Sequence, residues 1–277
     1  MAQSPDPPLP QPALGAAGRP RPPADLCPRC NGTGWCIEPD GGAGRAVRCE
    51  CQKTQRRRDH LELAGIPSRY RRSRLRLFNT ANPDEAVAAQ LLRARNVSQR
   101  YLDSFLDPET GFRRSGLLYI GPPGVGKTHL ATSVLVALIE RYGISGRFVD
   151  FSTLLHQIQS TFDTGREETK SSILAPVIGA EVLVLDELGA QKPTEWVMDV
   201  LYLIMNTRYT EGRPTIFTTN YRLEDPRARR GAKATELLSH RISAALLSRL
   251  YEMAHPLELD GPDYRRTVKM HENPIGG

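Results

Sequence analysis

Between the apolar run Leu117-Leu-Tyr-Ile120 and a longer stretch of helical periodicity stands the octapeptide Gly-Pro-Pro-Gly-Val-Gly-Lys-Thr, residues 121–128. It fits the spacing G-x-x-x-x-G-K-[ST], and its place between a strand and a helix constrains the fold more than any other feature of the chain. Glycines there permit backbone conformations that aim successive N–H groups inward, and the following helix adds its positive N-terminal end. The loop therefore reads as a cradle for the phosphates of a nucleoside triphosphate, built from Gly121, Pro122, Pro123, Gly124, Val125, Gly126, Lys127, Thr128 and the adjoining His129. Lys127 is placed to neutralise the β and γ oxygens, and Thr128 offers a hydroxyl to Mg2+, a hard cation that prefers oxygen.

A second element is the run Val182-Leu-Val-Leu185, which passes directly into Asp186 and Glu187. A wholly apolar run of this length reads as a strand buried on both faces, and it delivers two carboxylates at its C-terminal edge, where open α/β sheets bind ligands. Asp186 is expected to orient the Mg2+ shell and Glu187 to polarise the attacking water. The third element, Pro214-Thr-Ile-Phe-Thr-Thr-Asn220, is a β-branched strand ending in an amide that can hold that water against a γ-phosphate oxygen.

From Gly116 onward short β-rich runs alternate with longer helical runs, the pattern of a parallel sheet sandwiched by helices. Strands are expected at 117–120, 146–150, 182–185, 214–219 and 255–259, and helices near 127–142, 153–162, 195–209 and 235–251. Upstream, Asn82 is expected to cap a helix with Pro83 at its first position and Glu85 closing a capping box. The predicted organisation is a disordered Pro-rich tail over 1–25, a cysteine module over 26–52, a basic linker over 53–80, an ATPase domain over 81–270 and a tail over 271–277. The net charge of +6 is concentrated, since residues 52–76 carry nine Lys or Arg against two acids. Such a segment suits a phosphate backbone or an acidic protein face, and equally a solvated linker.

These elements resemble, in order, the Walker A, Walker B and sensor 1 motifs of the AAA+ superfamily. More narrowly, GIPSRYRRSRLRLF at 65–78, VLVLDELG, NTRY at 206–209, PTIFTTN and SRL at 248–250 resemble the DnaC/DnaI-type helicase loaders and the IstB-type transposition helpers, which share an ATPase core. The resemblance covers most of the chain. It implies an α/β fold of the P-loop NTPase (AAA+) class, with the lid domain reduced or absent because little chain follows Leu259. It implies that Arg249 is an arginine finger reaching the γ-phosphate held by a neighbouring subunit, with Arg241 and Arg208 as alternatives. Arg265 resembles the sensor 2 residue of the loaders, and Leu77 or Phe78 would close over the adenine.

All five cysteines fall between Cys27 and Cys51. Cys27-x2-Cys30 and Cys49-x-Cys51 give four thiolates, a set that suits tetrahedral Zn2+ in a small zinc-ribbon-like structural module, with Cys36 a spare thiol or substitute ligand. No segment holds the uninterrupted apolar length of a membrane span, and the N-terminus lacks a secretory pattern, so the cytosol is the expected compartment. Together the motifs predict an Mg-dependent ATPase. The resemblance suggests a loader that binds a replicative helicase hexamer, assembles into a homo-oligomer on binding ATP, and places the helicase on single-stranded DNA. The alternative is a transposition helper that binds double-stranded DNA and a transposase.

Overall fold

The computed structural model describes residues 27–31, 33–39, 44–107, 109–161, 169–223 and 237–266. The tails expected over 1–25 and 271–277 lie outside them. The chain forms two compact units that divide between Thr54 and Gln55.

The first unit is built on an antiparallel hairpin of β1 (Trp35–Glu38) and β2 (Arg45–Arg48), with Trp35 opposite Arg48 and Ile37 opposite Ala46. Its apolar side chains are largely exposed, Ile37 at 76%, so the hairpin has no hydrophobic interior to hold it. Among the described residues of this unit, the buried positions are Cys30, Gly34 and Cys49. Helix α1 (Glu50–Leu63) begins here and continues into the second unit.

The second unit is organised by a five-stranded sheet of β5 (Gly116–Ile120), β6 (Gly146–Asp150), β7 (Val182–Asp186), β8 (Thr215–Thr219) and β9 (Ala254–Glu258), in the order β6-β7-β8-β5-β9. Every pairing is parallel. Parallel neighbours require crossovers, here supplied by α3 (Lys127–Tyr142), α4 (Phe151–Ser160), α5 (Lys170–Gly179), α6 (Glu195–Thr210) and α7 (Ala244–Met253). Alternation along each strand divides its apolar residues between the two faces. Leu117, Tyr119, Val182, Val184 and Ile216 enter the core beneath α3 and α2 (Glu85–Asp103), whereas Leu118, Ile120, Leu183, Leu185 and Phe217 enter the core beneath α4 to α7. A short hairpin of β3 (Leu106–Asp107) and β4 (Gly111–Phe112) follows α2.

Three expectations are corrected. Asp84, not Asn82, caps α2: its carboxylate accepts the N–H groups of Ala86 and Val87 at 2.8 and 3.2 Å, while Asn82 accepts the Asp84 N–H at 2.9 Å one step upstream. A carboxylate at the cap also meets the positive end of the helix, an advantage the Asn82 amide lacks. The helix expected over 235–251 is instead a 310 turn, Leu238–His240, followed by α7, because the Ser243 hydroxyl accepts the Leu246 N–H and starts a new helix. The basic stretch between 53 and 80 is folded chain, containing most of α1 and two 310 turns, with Ala64, Ile66, Leu75 and Phe78 buried in the α3 core. Its arginines conceal these widely spaced anchors.

Candidate functional site

The C-terminal ends of β5, β7 and β8 converge on a cleft of ≈ 460 Å3, lined by Pro123 to His129 of the phosphate loop, Glu187, Thr218 and Asn220. Its size is that of an ordinary small-molecule site. Residues 69–70, 77–79 and 81–83 close one side, with both Leu77 and Phe78 in the lining, and Gly261, Pro262, Tyr264 and Arg265 close another. The structure thus brings together the loop, the second carboxylate and the strand-end amide that the sequence marked separately.

The loop conformation depends on glycine at two close approaches. Gly126 has φ 102°, and a Cβ there would meet Phe78 Cε2 at 2.6 Å. Gly124, at φ 83°, would collide with the Asp263 carboxylate if it carried a side chain. The Lys127 ammonium donates to the carbonyls of Gly121 and Pro122 at 2.8 and 2.7 Å, so the first two loop residues orient the lysine. Burial lowers its pKa to about 8. His129 braces the wall of the cleft: Nδ1 lies 3.5 Å from the Ser73 hydroxyl, Nε2 lies 3.3 Å from the Arg74 carbonyl, and the ring is 5.9 Å from Phe78. Burial pulls its pKa down.

Asp186 is buried at the end of β7, and its carboxylate accepts from the Thr128 hydroxyl at 3.0 and 3.2 Å and from the Thr218 hydroxyl at 2.6 Å. Burial pushes its pKa up to about 6, against the opposing effect of the two hydroxyl donors. This pairing of a loop hydroxyl with a carboxylate suits an oxygen-loving cation. Glu187 follows with φ 60°, a left-handed conformation that a side chain rarely takes, and its N–H donates to Thr218 Oγ1 at 3.0 Å.

The arginines separate. Arg265 lines the cleft and is paired with Asp263 at 3.1 Å. Arg249 lies outside the cleft lining on α7, its guanidinium 5.0 and 6.0 Å from the ring centres of Tyr202 and Tyr209 on α6. Arg241 holds the turn after β7 by donating to the carbonyls of Gly189, Ala190 and Gln191. Arg208 is fully buried and bonded to Thr215 and to the carbonyls of Val177, Ile178, Ala180 and Pro214, which excludes it as a reaching finger. Sequence reasoning missed Thr218, although it stands two residues before Asn220 and so on the same strand face. It also assigned no site role to Arg69 and Tyr70, which lie within the 65–78 stretch, or to Tyr264, although all three line the cleft.

In the first unit, the Sγ atoms of Cys27, Cys30, Cys49 and Cys51 all lie within 4.8 Å of one another. Cys27 and Cys49 are 3.7 Å apart, and Cys30 and Cys51 are 3.4 Å apart. Sulfurs at the corners of a tetrahedron around zinc stand about 3.8 Å apart, so the cluster fits one ion. The turn after Cys27 presents the first pair, the Cys49 N–H donates to Gly34 O at 2.8 Å, and Cys51 sits in the first turn of α1. Cys36 falls outside the cluster, its thiol 3.8 Å from the Arg29 carbonyl.

A parallel sheet carrying a phosphate loop after one strand and an acidic pair after another defines a P-loop protein of the AAA+ class. The chain belongs to the IstB-like ATP binding protein family, whose sequence profile matches residues 69–272. It is 28% identical over 198 residues to the insertion sequence IS5376 putative ATP-binding protein of Geobacillus stearothermophilus, covering 71% of this chain and 72% of that one. It is 29% identical to the replicative helicase loader DnaI of Bacillus subtilis, over 57% of this chain and only 49% of the loader. Among solved structures, a DnaC helicase loader superposes with a TM-score of 0.56 at 32% identity, covering 70% of this chain and 99% of that one. Among the described residues no helix is long and apolar enough to cross a membrane.

Proposed function

We propose that this chain is an Mg-dependent ATPase that works as a replicative helicase loader, delivering a hexameric helicase to single-stranded DNA. The observation that supports hydrolysis is the convergence of Lys127, Glu187 and Asn220 on one cleft beside the Thr128–Asp186 pair. Lys127 neutralises β and γ oxygens. Thr128 and Asp186 would hold Mg2+, which supplies charge compensation for the phosphates. Glu187 accepts a proton from a water positioned by Asn220 as its oxygen attacks the γ-phosphorus. The bond to the bridging oxygen breaks, leaving ADP and inorganic phosphate. Arg249, which does not line its own cleft, would serve the cleft of a neighbouring copy in a cytoplasmic homo-oligomer.

Glu187→Gln tests the chemistry: ATP turnover should fall by roughly 100-fold or more while nucleotide affinity stays near that of the wild type. Unaltered turnover would remove Glu187 from the reaction.

The loader reading draws on the four-cysteine cluster, which resembles the N-terminal module of that branch and would hold structural Zn2+ for helicase contact. A transposition helper acting on double-stranded DNA with a transposase is the second reading, favoured by the insertion-sequence relative matched over 72% of its length. The full chain, immobilised with ATP and Mg2+ and offered purified helicase and transposase from the same cell, decides between them. Retention of the transposase alone would overturn the loader assignment.

A further inference from the structure

We propose that Thr218 is a positioning residue for hydrolysis, its one hydroxyl fixing Asp186 and Glu187 relative to each other and to β8, the strand that leads into Asn220. The inference rests on the ATPase reading above and adds a residue to it.

Thr218 is 1% exposed, and its Oγ1 is engaged on both sides. It donates to Asp186 Oδ1 at 2.6 Å and accepts the Glu187 N–H at 3.0 Å. The amide can only donate, so the hydroxyl proton is directed onto the carboxylate. Two further bonds from the same strand end hold the turn: the Leu188 N–H donates to the Thr218 carbonyl and the Thr219 hydroxyl to the Leu188 carbonyl, each at 2.8 Å.

This mesh acts where the backbone is least free to choose. Glu187 takes φ 60°, and its carboxylate can reach the cleft only while the turn persists. Thr128 grips Asp186 from the phosphate loop, and Thr218 grips it from β8. A change in the position of the loop is thereby passed through one carboxylate to the strand that leads into Asn220. Thr218 is also part of the cleft lining, so the connection lies beside the reacting groups.

Thr218→Val keeps the shape and removes the hydroxyl, whereas Thr218→Ser keeps the hydroxyl. For Thr218→Val, kcat should fall roughly 10–100-fold, as a misplaced catalytic group costs. Its KM for ATP and its affinity for a fluorescent ATP analogue should stay within about threefold of wild type, and Thr218→Ser should recover kcat to within about threefold. In the nucleotide-free protein, hydrogen exchange of the Glu187 amide should quicken by about tenfold or more in Thr218→Val and not in Thr218→Ser. If Thr218→Val gives no cooperative melt, Thr218→Cys, with a weak donor of similar size, should lower kcat in the same direction with KM retained. Wild-type kcat in the valine or cysteine variant, an equal loss in serine, or a loss carried by KM would overturn this role and leave the ATPase standing. A wild-type protein without turnover would overturn both.

Discussion

Arg208 illustrates how a charged residue in a motif can be wholly structural. Its side chain is 0% exposed on α6, and burial lowers its pKa to about 9, which leaves it charged at neutral pH. Nε donates to Thr215, Nη1 reaches the carbonyls of Val177, Ile178 and Ala180, and Nη2 donates to Pro214. The Val177 and Ile178 carbonyls belong to the last turn of α5, where no further helical N–H is available, so the guanidinium closes the helix and ties it to β8. Replacing Arg208 with Met keeps most of the packing volume but leaves these oxygens buried without donors. Unfolding in urea should show a loss of about 2–4 kcal/mol. Arg208→Lys should recover little of it, because a single ammonium cannot span acceptors that a planar fork reaches together. A loss below about 0.5 kcal/mol for Arg208→Met would mean that water replaces the guanidinium, and that this arginine does not hold the helix end.

Elements differed in legibility according to how they bury side chains. Strands β5 and β7 were evident because a strand covered on both faces is largely apolar, and each is buried at all five positions, whereas β6 and β8 were legible as short β-rich runs between helical stretches such as α3. The phosphate loop and the Asp186–Glu187 pair were legible for the same reason, as polar residues placed where apolar runs stop. Helix α1 escaped notice because it buries no residue and therefore has no apolar face to repeat. Helix α5 carries Pro176 in its interior and has only Leu174 and Val177 buried, too few for a period. The role of Thr218 was hidden because threonine is an ordinary strand residue, and its partner lies 32 positions away in sequence. The β1–β2 hairpin was announced only by its cysteines, and that has an energetic consequence. With Trp35 and Ile37 exposed, its folding must draw on the four sulfurs. Elemental analysis of the full chain should find one zinc per chain, retained in Cys36→Ser and lost in Cys49→Ser. Loss of zinc from Cys36→Ser would place that thiol among the ligands and displace the four-sulfur assignment.

At the scale of the whole molecule, the finger role proposed for Arg249, which is absent from the lining of its own cleft, would make turnover a property of more than one copy. The guanidinium is held against Tyr202 and Tyr209, and the Tyr209 hydroxyl is fixed by Glu252 at 2.6 Å, so its direction is set before any partner arrives. A preorganised guanidinium loses little freedom on meeting a phosphate, which is where an arginine finger gains its effect. Two consequences separate this arrangement from a surface arginine. Specific ATPase activity should rise with protein concentration, and Arg249→Ala should lower it by roughly 10–1000-fold without weakening nucleotide binding. Complementation is the sharper measurement. A Lys127→Ala chain cannot hold the triphosphate but still offers Arg249, whereas an Arg249→Ala chain holds ATP and lacks the finger. Each alone should be nearly inactive, and their mixture should turn over ATP because the first chain completes the cleft of the second. If the mixture is as inactive as its parts while Arg249→Ala alone is impaired, the arginine acts within its own chain. If Arg249→Ala alone is fully active, its stacking on α6 serves only to pack one helix against another.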